Sequence, residues 1–159
     1  MSSIGQFDVR ATPMQMAMVA AAIANDGKLM TPFIVDSARA GDLSVIQKSV
    51  PVQYSTPLTV QESSELTQMM ISVVTDGTGK AAQIPGVTVA GKTGTAETGL
   101  DTPPHAWFVG FAPAENPVIA VAVIVENGGS LGSEATGGRV AAPIAKAVMK
   151  KAIQLEAGQ

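Results

Sequence analysis

The chain has 159 residues, 46% hydrophobic and 14% charged, which suits one domain with a real core and excludes a disordered chain. Its net charge of −3 and its lack of any basic block argue against a nucleic-acid footprint. With no cysteine and a single histidine, His105, it can build no disulfide framework, thiolate site or His-rich metal site, so no metal and no cofactor is expected.

Thr12 can cap a helix that Pro13 opens, predicted over 13–25. Residues 14–24 are apolar almost all round, with Gln15 the polar exception, and such a helix calls for burial on every side. Asn25-Asp26-Gly27 ends it, with Gly27 free to take the left-handed cap. Residues 28–35 read as extended and are interrupted by Pro32. The polar, Pro- and Gly-punctuated segment 36–57 reads as a small hairpin excursion through Val45-Ile46 and 50–54.

Thr59-Val60-Gln61-Glu62 is a capping box that starts a helix over 60–75. Leu66, Met69, Met70, Val73 and Val74 fall on one face of it, the methionines as core filler. Asp76-Gly77-Thr78-Gly79 breaks that helix. Three strands follow at about 87–98, 105–111 and 118–126, joined by a Pro-rich turn at 100–104 and by Ala114-Glu115-Asn116-Pro117. Such short connections make an antiparallel meander. Residues 118–125 show no polar alternation and read as a strand buried on both faces in the centre of a sheet. A glycine-rich loop over 127–138 leads to a last helix at about 140–155. There Ile144, Val148, Ala152 and Leu155 would face the sheet, and Lys146, Lys150 and Lys151 would face water.

The fold class is therefore α+β. A central strand needs a neighbour on each edge, and these elements offer 118–125 a neighbour on one edge only. The chain is thus expected to be the C-terminal part of one larger domain, spanning 1–159. An open apolar edge would otherwise invite pairing with a second copy or a companion chain. No run of 18 apolar residues is present, so nothing here is expected to span a membrane, and Met1-Ser2-Ser3 opens no signal peptide.

The chemistry concentrates in Val87-Thr88-Val89-Ala90-Gly91-Lys92-Thr93-Gly94-Thr95-Ala96-Glu97-Thr98. Residues 86–93 satisfy the phosphate-loop pattern G-x-x-x-x-G-K-[ST], which would make a nucleotide-binding protein. That pattern needs an open turn leading straight into a helix. The spacers Val87, Thr88, Val89 and Ala90 suit a strand, and Gly94-Thr95-Ala96-Glu97-Thr98-Gly99 is poor helix material. The other reading is an extended Lys-Thr-Gly strand, as in serine acyl-transferases. Gly91 and Gly94 would let a substrate approach, while Lys92, Thr93 and Thr95 present an ammonium, hydroxyls and backbone N–H groups along one edge.

Four stretches together resemble the penicillin-binding transpeptidases. They are Gly5-Gln6 with Ala11-Thr12-Pro13-Met14-Gln15-Met16-Ala17 and Ile23-Ala24-Asn25-Asp26-Gly27-Lys28; Gly91-Lys92-Thr93-Gly94-Thr95-Ala96-Glu97; His105-Ala106-Trp107-Phe108-Val109-Gly110-Phe111-Ala112-Pro113; and Val140-Ala141-Ala142-Pro143-Ile144. The resemblance covers nearly the whole chain and is nearest to the class B enzymes of the penicillin-binding protein A type. It implies an antiparallel sheet with helices on both faces, β-lactamase/transpeptidase-like and incomplete in this chain.

It also implies a peptidoglycan D,D-transpeptidase that cross-links stem peptides through a serine ester at the extracytoplasmic face of the membrane. Its partners would be D-Ala-D-Ala stem peptides and β-lactams. By the same resemblance Lys92 and Thr95 are catalytic, Lys92 through the proton network and Thr95 through an oxyanion N–H. Thr93, Gly94 and Thr95 would bind substrate, the two hydroxyls taking its carboxylate. The family's other motifs, Ser-x-x-Lys and Ser-x-Asn, occur nowhere in this sequence, so the isolated chain is expected to be inactive and to need the rest of the domain. A β-lactam-sensing or scaffolding module of the same fold would carry the same strand. Glu97 reads as a rim charge, His105 as a hydrogen-bonded strand histidine, Trp107 as a residue packed in or beside the sheet, and Gly137-Gly138 as loop and cap glycines.

Overall fold

The computed structural model describes residues 6, 9–99 and 102–158. The expected opening at 1–5 and two residues of the 100–104 turn lie outside them. The elements run α1 (Pro13–Ala24), β1 (Leu29–Met30), β2 (Ser37–Arg39), β3 (Val45–Lys48), β4 (Gln53–Ser55), α2 (Val60–Thr75), β5 (Ala90–Ala96), β6 (His105–Ala112), β7 (Ile119–Val125) and α3 (Ala142–Glu156).

Both early helices start on reciprocal caps. Thr12 Oγ1 accepts from the Gln15 N–H at 3.2 Å, and Gln15 Oε1 accepts from the Thr12 N–H at 2.8 Å. Thr59 and Glu62 repeat this at 3.2 and 2.7 Å. Each box satisfies N–H groups that the first turn leaves without a helical partner. At the other end of α1, Gly27 takes φ +83°, and its N–H reaches the Ala22 carbonyl at 2.9 Å. A Cβ on Gly27 would lie 2.2 Å from the Leu58 carbonyl oxygen, so only glycine fits.

The main sheet is the antiparallel meander β5-β6-β7, with β6 in the middle. Side chains alternate between its faces. Phe108 points to one face, with Val121, Ala142, Ala145 and Met149, and Phe111 to the other, with Ala90 and Met70. Both phenylalanines are fully buried. Helix α3 covers the first face and α1 the second. Helix α2 contributes Met70 to one cluster and Val74 to the other. Its buried Ser63 donates to the Ile23 carbonyl at 2.9 Å and ties α2 to α1.

Several expectations need correcting. Helix α1 is not buried all round: Ala20 and Ala22 are, but Met14 and Val19 are each 50% exposed. Its inner side rests on the sheet, and no layer covers its outer side among the described residues. Met69 on α2 points outward. On α3 the buried stripe is Ala142, Ala145 and Met149, while Ile144, Val148 and Leu155 are exposed. The small alanines let the helix approach the sheet, and the bulkier aliphatic residues are left on its flank.

The excursion also pairs differently. β3 returns to β2, and β4 returns to β1, which nests one ladder outside the other. The tight turn that allows this has Leu43 at φ +68°, with the Leu43 N–H on the Ala40 carbonyl at 3.0 Å. Strand β5 begins at Ala90, not Val87, because Gly86 at φ +75° makes a turn that bridges Ile84 to Val87. β7 is not buried on both faces; Val121 is its buried residue and the others are half-buried. It pairs with β6 alone among the described residues, so its second edge carries no strand, as the missing-neighbour argument expected.

Candidate active site

Lys92, Thr93, Gly94 and Thr95 lie in the middle of β5, in register with Val109, Phe108, Trp107 and Ala106 of β6. The backbone is extended there, and no helix follows before β6 among the described residues. A phosphate loop needs its lysine at the mouth of a helix, so the geometry removes that context from residues 86–93.

Strand alternation separates two sets of side chains. Lys92 and Gly94 share a face with Val109 and Trp107, whereas Thr93 and Thr95 share the opposite one. Among the described residues the other edge of β5 has no strand beside it. The Thr95 carbonyl there accepts from Gln6 Nε2 at 3.3 Å, and the Thr93 carbonyl accepts from Lys92 Nζ at 2.7 Å. In an antiparallel strand the N–H and C=O of one residue point the same way. The N–H groups of Thr93 and Thr95 therefore also face outward, into a groove of about 470 Å³ lined by Lys92 through Ala96, Trp107, Val109, Gln6, Val9, Ala11 and Met16. Lys92 and Thr95 are exposed, and Thr93 and Gly94 are half-buried. The four predicted site residues thus form one continuous wall of one groove.

Two supports of this wall were not read from the sequence. The hydroxyls of Thr78 and Thr93 are 2.6 Å apart, which fixes the Thr93 side chain from the loop after α2. Thr78 stands in the sequence as part of a helix break, and only its place between Gly77 and Gly79 hints at a tight approach. The second support is Gly137-Gly138. A Cβ on Gly137 would come within 2.1 Å of the Trp107 oxygen and 2.7 Å of the Gly94 oxygen, and one on Gly138 within 2.3 Å of the Thr78 oxygen. These glycines let the loop rest directly on the back of the β5–β6 ladder. Thr136 then caps the following turn, its Oγ1 accepting from the Arg139 N–H at 3.3 Å.

His105 is half-buried, and its Nδ1 accepts from the Asn127 N–H at 3.0 Å, so it fastens the glycine-rich loop to the start of β6. Glu97 is exposed at the rim. Among the described residues no group of three or more His, Cys, Asp or Glu could hold a metal ion. No helix among them is long and apolar enough to cross a membrane.

The model of the penicillin binding protein transpeptidase domain matches residues 1–150. The peptidoglycan D,D-transpeptidase PbpA of Mycolicibacterium smegmatis is 49% identical over 157 residues, covering 97% of this chain and 32% of that protein. PbpA of Mycobacterium tuberculosis strain H37Rv is 48% identical, with 98% and 32% covered. The ceftriaxone acyl-enzyme complex of M. tuberculosis penicillin-binding protein A superposes with a TM-score of 0.92 at 46% identity, covering 97% of this chain and 35% of that one. The chain spans about a third of the length of these relatives. With the family model matched almost end to end and the same fold in a solved relative, this chain belongs to the penicillin-binding protein transpeptidase family.

Proposed function

We propose that this chain forms the Lys-Thr-Gly wall of a peptidoglycan D,D-transpeptidase site whose nucleophilic serine lies in sequence outside these 159 residues. The supporting observation is the outer edge of β5. That edge turns the Thr93 and Thr95 N–H groups toward a groove that Lys92 through Ala96 line, with Lys92 on one face of the strand and the two threonine side chains on the other.

Each group then has a task. The Thr95 N–H donates to the carbonyl oxygen that becomes negative when serine attacks the penultimate D-alanine. Such an aimed donor contributes about 3 kcal/mol to the barrier reduction. The Thr93 and Thr95 hydroxyls, on one face of the strand, take the substrate carboxylate. Lys92 supplies the positive field and a route for the serine proton. The serine ester forms as terminal D-alanine leaves, and an acceptor amine then attacks the ester and restores the serine. Gly94 keeps its face of the strand low, since a Cβ there would press on Trp107 Cβ at 3.2 Å.

β-Lactams would enter the same groove and stop at the acyl-enzyme, as ceftriaxone does in the M. tuberculosis relative. The reaction belongs on the extracytoplasmic side of the membrane, where its polymer substrate is. The 159-residue chain by itself has no Ser-x-x-Lys serine and forms no acyl-enzyme. The test is a fluorescent penicillin on the full-length protein and on this chain alone, read by gel and intact mass. Labelling of the first and not the second is expected. A folded full-length protein that takes no label contradicts the proposal.

A further inference from the structure

The carboxamide of Gln6 occupies the outer edge of β5 just beyond the reacting position. Its Nε2 donates to the Thr95 carbonyl, and its Oε1 accepts from the Glu97 N–H, both at 3.3 Å. A parallel strand would make this same pair of bonds with the residue it sets opposite Ala96. One side chain thus stands in for one residue of an added strand.

An extended acyl donor needs the same place. When its reacting carbonyl sits on the Thr95 N–H in antiparallel pairing, that residue and Thr95 exchange both backbone bonds. The donor's own N–H then points at the Thr95 carbonyl, where Gln6 Nε2 already lies. Both Gln6 bonds are at the long end of the usual range and exposed, which suits a partner that gives way.

On the transpeptidase reading above, we infer that Gln6 is a specificity-determining residue of the acyl-donor site. A ligand with an amide N–H beside its reacting carbonyl displaces the Gln6 carboxamide from Thr95. A ligand without that N–H leaves it in place. Gln6 is thereby a stand-in for substrate backbone when the groove is empty.

β-Lactams of both kinds serve as probes. Penicillin G carries an acylamino N–H beside the lactam carbonyl, and imipenem has a hydroxyethyl group there. Second-order acylation rates are measured for the full-length protein and for Gln6→Ala and Gln6→Glu. The glutamate keeps the size and the acceptor for Glu97 but removes the donor to Thr95. In both variants the penicillin G to imipenem rate ratio rises roughly three- to tenfold, the worth of one net hydrogen bond. A purely structural loss at β5 slows both lactams together and leaves the ratio where it was, which overturns the inference. Amide exchange at Glu97 gives a second readout. It is faster in the wild-type penicillin G acyl-enzyme than in the imipenem one, and equal exchange also overturns the inference. Acylation by neither lactam defeats the transpeptidase reading and this inference with it, whereas acylation by both at an unchanged ratio defeats the inference alone.

Discussion

Gly137 lies against the carbonyl of Trp107 so closely that a methyl group on it would come within 2.1 Å of that oxygen. The atom it would strike is backbone, so no rotamer change relieves the clash. Gly137→Ala must move either the loop or the β5–β6 ladder that carries Gly94. It should destabilise the full-length protein by roughly 1–3 kcal/mol or more, the usual cost of overpacking. It should also slow penicillin acylation. Gly41→Ala is the control, since nothing lies within 4 Å of its added Cβ. Its unfolding free energy should match wild type within about 0.5 kcal/mol.

The Thr78–Thr93 hydroxyl pair makes a subtler prediction. Thr78→Val keeps the side-chain shape and removes the partner that orients the Thr93 hydroxyl, 2.6 Å away. Penicillin acylation should fall by roughly three- to tenfold and stability by about 1 kcal/mol, in line with one lost hydrogen bond. Thr78→Ser should retain most of the rate. Equal rates for Thr78→Val and wild type would show that the Thr93 hydroxyl needs no orienting partner.

Acidification should loosen the start of α2 in a defined way. Glu62 is held below the ordinary glutamate range first by the Thr59 N–H and then by the Thr59 hydroxyl. Its folded pKa is thus lower than its unfolded one. The stabilisation is complete above the unfolded value and is lost as pH falls through the folded value. The stability gap between wild type and Glu62→Ala should therefore be full near neutral pH and shrink on the acid side of the ordinary glutamate range. A gap that stays constant down to low pH would contradict this. Glu115 moves in the same direction, chiefly through the Thr88 hydroxyl.

His105 separates fastening from catalysis. Its Nδ1 is taken by the Asn127 N–H at 3.0 Å, so its contribution is to the loop that follows β7. His105→Ala should lower stability by about 1 kcal/mol, one hydrogen bond's worth. It should leave the acylation rate within roughly threefold of wild type. A loss of two orders of magnitude in rate would give this histidine a chemical role that its hydrogen bond does not.

Much of this arrangement was legible in the residues. Thr12 with Pro13 announces α1, and the Thr59–Glu62 capping box announces α2; both caps form, and Gln15 completes a second box that was not read from the residues. Lys92 to Thr95 read as extended, and they lie in β5, although the β-branched Val87, Thr88 and Val89 that suggest a strand precede it. What escaped was everything set by which faces meet. Apolar content could not say that Ala145 and Met149, rather than Ile144 and Val148, would turn to the sheet. Hairpin signals could not choose between adjacent and nested pairing for β2, β3 and β4. Thr78 and Gly137 are far in sequence from Lys92, and a single chain carries no local mark of a contact made only on folding.

The central claim is that Lys92 works at the mouth of the groove formed by the β5 edge. The most direct measurement is the second-order rate of acylation of the full-length protein by a fluorescent penicillin, compared with Lys92→Ala. Because Lys92 is exposed, the variant should fold with its stability within about 0.5 kcal/mol of wild type. Its acylation rate should fall by roughly 10²–10³-fold, the scale of losing one electrostatic contact to the developing charge. A folded variant that acylates at the wild-type rate would contradict the account.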